Sequence, residues 1–311
     1  MEEDRVLGGG GGYLGLVGQV TTGSERMVAT EERESPIEIR DDIPASARVY
    51  GWALGGKDNY QVDRDFALKT APAFPESIDI SRQNRLFLYR AVRYLATEAG
   101  IRQFLDMGCG LPTDNNVHQV AQQFAPDARV VYVDIDPIVL AYGRALLAGD
   151  GSTVVINADF RDLDAVLNHS EVKRLINFDE PLAVLFLSVG HHLTDADDPR
   201  GILHIVMDRA VSGSHLAFSQ VVCSDPGRAA ELDARMNGAG IPWRNRTREE
   251  VGELLLDGLE PVEPGLVNLL HWRPDPDQPP LPPVPDELAQ FAGASRMGRD
   301  VCEYGGVLRK P

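Results

Sequence analysis

Positive charge is what this 311-residue sequence has least of: 30 Lys and Arg stand against 47 Asp and Glu, a formal net charge of -17 with a pI near 4.8. Such a surface repels phosphate backbones and anionic lipid, which sets aside nucleic acid and membrane surfaces as partners. Long hydrophobic runs are also missing; none approaches the roughly 18 apolar residues that a bilayer span needs. The start, MEEDRV followed by glycines, lacks the basic and apolar stretches of a secretion signal, so a cytoplasmic location is expected. Cysteine is sparse as well: Cys109, Cys223 and Cys302 are odd in number and far apart, which suits reduced thiols better than a disulfide framework. His191, His192, His204 and His215 lack zinc-ligand spacing and a cysteine partner, so no metal site is expected.

What is present is an alternation of strand and helix patterns. Residues 1–42 are rich in glycine, then in Thr, Ser and Glu without a sustained period, and are expected to be a disordered extension. Residues 43–311 are expected to form one domain: a helical lid over 43–100 and a core over 101–311. In the core the patterns predict strands at 102–107, 129–134, 153–157, 181–188 and 214–222, with helices between them at 115–125, 137–148 and 199–211. Further helices follow near 227–238 and 247–256, and GLVNLLHW at 265–272 and YGGVLRK at 304–310 could pair as a terminal antiparallel ribbon. From 77 to 99, Leu88, Val92, Leu95 and Ala99 recur at helical spacing, with Arg82, Arg85, Arg90 and Arg93 on the polar side. The fold class is α/β, a doubly wound and mostly parallel sheet with its site at the carboxyl edge of the strands.

The first β-to-α corner reads FLDMGCGLPTD, and the second strand ends VVYVDIDP. Gly108 and Gly110 let a ligand approach the backbone, but Thr113 stands where a dinucleotide fingerprint wants a third small residue, and Asp114 lies beside it. A carboxylate at a helix start disfavours pyrophosphate, which binds the exposed N–H groups there. S-adenosyl-L-methionine suits the same corner without pyrophosphate. Asp106 would attract its ammonium or else cap the next helix; Asp134 would hold the ribose hydroxyls, with Asp136 beside it able to cap the helix starting at Pro137. Asp159 ends the third strand near the adenine position, with Phe160 against the ring. Ser188 closes the fourth strand, and His191 is the candidate catalytic contact, as a base or as a buried, hydrogen-bonded histidine.

Upstream, Tyr50, Gly55, Gly56, Lys57, Asn59 and Asp63 form a segment too polar for core packing, read as a lid over cofactor and substrate, while Arg85 could hold the cofactor's carboxylate. ARVYGWALGGKDNYQVDR, NRLFLYRAVRYLA, GIRQFLDMGCGLPTDNNVHQVAQ, ARVVYVDIDPIVLAYGRALL, GHHLTDADDP and GGVLRKP together resemble a bacterial S-adenosylmethionine-dependent methyltransferase family long catalogued as a domain of unknown function. The resemblance covers roughly 43–311 and implies a seven-stranded, Rossmann-like class I methyltransferase sheet and cofactor binding; the leading expectation for function is methyl transfer to a small molecule through an O or N nucleophile. Within the family pattern Gly190 and His192 replace more apolar residues around His191. Two other functions remain open: a non-catalytic S-adenosylmethionine sensor that keeps the pocket, and a nicotinamide oxidoreductase sharing the fold class. The methyl acceptor and the oligomeric state are not encoded in any motif.

Overall fold

The computed structural model describes residues 40–146, 151–296 and 300–311, so most of the extension expected at 1–42 lies outside the described residues. The chain runs α1 (Ser46–Ala53), α2 (Gln61–Thr70), α3 (Ser77–Thr97), β1 (Gln103–Met107), α4 (Val117–Phe124), β2 (Arg129–Asp134), α5 (Pro137–Leu146) and β3 (Thr153–Asn157). It continues with α6 (Leu163–Asn168), α7 (Ser170–Leu175), β4 (Ala183–Phe186), α8 (Pro199–Arg209), β5 (His215–Cys223), α9 (Pro226–Gly238) and α10 (Arg248–Leu255). Short strands β6 (Glu260–Pro261) and β7 (Val267–Asn268) precede the long β8 (Val301–Arg309).

The strands lie in the order β3-β2-β1-β4-β5-β8-β6, with β7 also on β8. β1 to β5 pair in parallel and β8 runs antiparallel to β5 along its whole length, from His215 opposite Arg309 to Cys223 opposite Val301. The doubly wound, mostly parallel sheet is therefore present, but its far edge differs from expectation. Among the described residues there are eight strands rather than seven, because Pro261, Pro264 and Gly265 interrupt the outer edge and leave two two-residue strands there. β8 is likewise no terminal ribbon: it lies inside the sheet, and only Val267–Asn268 of the 265–272 segment pairs with it. Gly305 permits this, since a Cβ there would stand 1.9 Å from the Phe218 carbonyl oxygen of β5.

β1 and β4 are buried at every position, which explains the unbroken apolar run of β4, while β1 carries Gln103 and Asp106 among its apolar residues. One face of the sheet packs Leu105, Val131, Val184 and Phe218 against Leu163, Val166, Leu203, Val206 and Val251 of α6, α8 and α10. The other face packs Phe104, Val130 and Leu185 against Phe87, Val92, Leu95, Val120 and Trp272. Burying each such large side chain contributes about 1.5–3 kcal/mol. α3 thus belongs to the core layer rather than to the cover expected over 43–100. Arg85 and Arg90 are buried rather than solvated. Arg90 turns inward because its fork of donors meets the carbonyls of Trp272 and Leu269, at 2.8 and 2.7 Å.

Candidate functional site

The parallel strands deliver their last residues to one edge, and a cavity of about 460 Å³ opens there. Its floor includes Asp106, Gly108, Cys109 and Gly110 from the first corner, Asp134 and Asp136 from the second, Asp159 and Phe160 from the third, and Ser188 after β4. Gly108 and Gly110 have φ of +75° and +67°, and a Cβ at Gly108 would come within 2.7 Å of Val189 Cγ1, so the corner admits only glycine without strain. Asp134 binds the corner together: its Oδ2 accepts from Gly110 N–H at 2.8 Å and its Oδ1 from Asp136 N–H at 2.9 Å. Asp136 Oδ1 accepts from Ile138 N–H and so caps α5. Asp106, 4% exposed, has no hydrogen bond from its side chain among the described residues.

Burial pushes Asp106 up to about 7, opposed by the Arg85 guanidinium and reinforced by Asp134. Burial also pushes Asp134 up to about 6, against the pull of the Asp136 and Gly110 amides. Arg85 reaches the cavity from α3 and donates through Nη2 to the Asp114 carbonyl and Asn116 Oδ1, at 2.8 and 2.9 Å; its buried Nε has no partner among the described residues. Tyr50 lines the cavity from α1, and its hydroxyl oxygen accepts from Asn84 Nδ2 at 2.9 Å. Two buried acids and a buried arginine around one opening fit a ligand that carries ammonium, carboxylate and vicinal hydroxyls. Burial pushes the Cys109 thiol well above its ordinary value, which disfavours the thiolate that a nucleophile needs.

Residues 32–311 match the family model described as S-adenosyl methyltransferase. The chain belongs to that family. It is therefore an S-adenosylmethionine-dependent methyltransferase. Among solved structures it is similar to a DUF574-family protein from Streptomyces avermitilis MA-4680, 35% identical, with 88% of this chain and 100% of that one covered at a TM-score of 0.76. It is also similar to a Thermobifida fusca YX protein provisionally classed as a methyltransferase, 40% identical, covering 86% and 95% at a TM-score of 0.73. No curated protein matches the chain.

Within this methyltransferase fold several expected site residues sit elsewhere. Gly55, Gly56, Lys57 and Asn59 do not line the cavity. They tie α1 to α2: Asn59 Nδ2 donates to the Gly56 carbonyl, Asn59 Oδ1 accepts from Arg64 Nε, and a Cβ on Gly56 would press on the Gly51 carbonyl at 2.8 Å. Asp63 is the hub of that segment, accepting from Ala45 N–H, Tyr60 N–H and Arg48 Nε at 2.9, 2.8 and 2.7 Å. Nor is Asp114 at a helix start, since α4 begins at Val117 with Asn116 as its cap, and neither Thr113 nor Asp114 lines the cavity.

His191 is the clearest correction. It is 3% exposed and absent from the cavity lining; its Nδ1 accepts from Val221 N–H at 3.2 Å and its ring lies 3.9 Å from that of Trp243. Burial, then the neighbouring His192, hold it well below the ordinary histidine value. His192 is the histidine that lines the cavity, together with Ser46, Arg48, Ile241 and Pro242. A short 3-10 turn over Gly190–His192 aims adjacent side chains in different directions, and the residue name alone cannot distinguish them. Ser46 and His192 lie 146 positions apart, so no spacing signal links them. Glu303 of β8 is fully buried and pushed by burial up to about 8, but it does not line the cavity. Among the described residues no cluster of three or more His, Cys, Asp or Glu could hold a metal ion, and no helix is long and apolar enough to cross a membrane.

Proposed function

We propose that S-adenosyl-L-methionine lies across the strand ends with its methionine moiety over Gly108 and Gly110, and that the methyl group goes to a small-molecule acceptor at an oxygen or nitrogen. The observation that carries this placement is Asp106, a buried carboxylate on the cavity floor whose side chain makes no hydrogen bond within the described chain. An ammonium group supplies the missing partner. Asp134, with one backbone donor on each oxygen, keeps further lone pairs for ribose hydroxyls. Arg85 holds the cofactor's carboxylate, Tyr50 closes over it, and Phe160, Asp159 and Ile135 frame the adenine. When bound, the cofactor supplies a methyl group already activated by positive sulfur. The chain's own task is to hold the acceptor in line with that methyl and exclude water. The acceptor enters beyond Ser188, where Val189, His192 and Ile241 continue the cavity. Reduced Cys109, Cys223 and Cys302 suit a cytoplasmic setting.

Isothermal titration with S-adenosylhomocysteine tests the placement: binding is expected in the unaltered protein and at least about 30-fold weaker in Asp134→Ala, from the loss of one or two charge-assisted hydrogen bonds. Full affinity in that variant removes Asp134 from the ribose site. Labelled cofactor incubated with a metabolite extract separates catalysis from sensing, because only catalysis releases S-adenosylhomocysteine above background.

A further inference from the structure

We propose that His192, working through Ser46, is the base that takes the proton from a hydroxyl acceptor borne on an uncharged, largely apolar scaffold. This rests on the cofactor placement above and adds the acceptor's chemistry to it.

His192 Nδ1 is 2.8 Å from the Pro242 carbonyl, which can only accept, so Nδ1 carries the proton of the neutral ring. Nε2 is left with a lone pair and lies 3.0 Å from Ser46 Oγ, whose hydroxyl donates to it. Neighbouring His191 has the opposite arrangement, because its Nδ1 accepts a backbone N–H. Three elements remote in sequence thus hold one imidazole with its basic nitrogen toward the cavity: the start of α1, the turn after β4, and the loop before α10. Burial lowers His192 below the ordinary histidine value, which keeps Nε2 unprotonated at neutral pH.

The surroundings define the scaffold. Arg40, Arg48 and Arg161 at the opening each hold a carboxylate already, on Asp42, Asp63 and Asp159. An anionic acceptor would have to displace one of these. The rim instead exposes Ile43, at 39%, and Pro44, Ala47 and Ile241 continue the apolar wall. In the transfer the acceptor oxygen's lone pair forms the bond to the methyl carbon, while the carbon–sulfur bond breaks and its electron pair goes to sulfur. The acceptor's proton passes to Ser46 Oγ as the Ser46 proton passes to His192 Nε2. The positive charge lost from sulfur ends on an imidazolium, which returns its proton to water.

The test uses two probes of one shape at pH 8: 2-naphthol, which must lose a proton, and 2-naphthalenethiol, which is already ionised. The unaltered protein is expected to methylate both. His192→Gln is expected to lose about 100-fold in kcat on the naphthol and less than about threefold on the thiol, with Ser46→Ala intermediate. Equal losses on both probes would make His192 a mere shaper of the cavity and overturn the proposal. No methylation of either probe by a protein that binds S-adenosylhomocysteine overturns the acceptor class; no binding of that product overturns the cofactor placement itself. Nitrogen-15 histidine spectra of the unaltered protein need no variant and no turnover: a His192 ring protonated at Nδ1 and bare at Nε2 supports the base, and a proton resident on Nε2 at pH 8 sinks it.

Discussion

Two stretches of this chain look alike on paper, MGCGLPTD at 107–114 and LGGKDNY at 54–60: each sets two glycines close together, with polar residues following, between regular elements. Only the first reaches the cavity. Its glycines follow a strand of a parallel sheet, where the chain must leave the strand end and expose its backbone. The second pair joins two helices, and its polar groups are consumed locally by Gly56, Arg64 and, across to α5, the Tyr142 hydroxyl that donates to Asp58 at 2.8 Å. Glycine-rich and polar is thus no signature of a ligand site until the preceding element is known.

The largest expected effect sharpens what the second stretch is for. Asp63→Ala takes the nearest carboxylate from the buried Arg48, 3% exposed, leaving Asp136 at 3.7 Å, and removes acceptors from two backbone amides, so a loss of about 3–5 kcal/mol is expected. Urea denaturation reads it, and proteolysis is expected to cut first within α1 and α2. Next comes Gly108→Ala, which meets Val189 and an unfavourable φ. It is expected to cost about 1–3 kcal/mol and weaken S-adenosylhomocysteine binding in titration. Gly55→Ala, with φ +90° and the Pro283 carbonyl 3.0 Å from the new Cβ, is expected to cost stability of similar size while leaving that affinity unchanged. Affinity lost equally in both would erase the distinction between the two stretches.

Acidity gives a smaller effect with a defined sign. Asp106 and Asp134 stand at about 7 and about 6, both above the ordinary carboxylate value. The folded, ligand-free protein therefore keeps protons that the unfolded chain has released, and these groups' contribution to stability falls as pH rises from about 4 to about 7. Ligand binding is expected to run the other way, since in the placement proposed above the ionised carboxylates hold the ammonium and the hydroxyls. Affinity for S-adenosylhomocysteine is expected to drop at least about tenfold between pH 8 and pH 5.5 by calorimetry, whereas a flat profile would detach both acids from the ligand. Smallest of all is Asn59→Ala, expected to change that affinity less than about twofold, because its partners are Gly56 and Arg64.

Most of the cavity floor was legible because it is local: Asp106, Gly108, Gly110, Asp134, Asp159 and Phe160 each sit at or just past a strand end, and strand ends follow from apolar periodicity. The wall that carries Ser46 and His192 was not. Choosing between His191 and His192 requires knowing which ring Val221 and Trp243 enclose, and Arg85 and Arg90 looked solvated because helical spacing says nothing about α4, Asn116 or the Trp272 carbonyl waiting on the inner side.

By itself the sequence determined the alternating sheet, the glycine corner and the carboxylates along its edge, since each depends on neighbours a few residues away and on the pleat and helix periods. Only the tertiary structure decided that β8 enters the sheet beside β5, that LGGKDNY serves the backbone, and that Ser46, His192 and Pro242 meet. Contacts across 146 positions depend on how whole layers pack, and no short-range pattern of side chains records that.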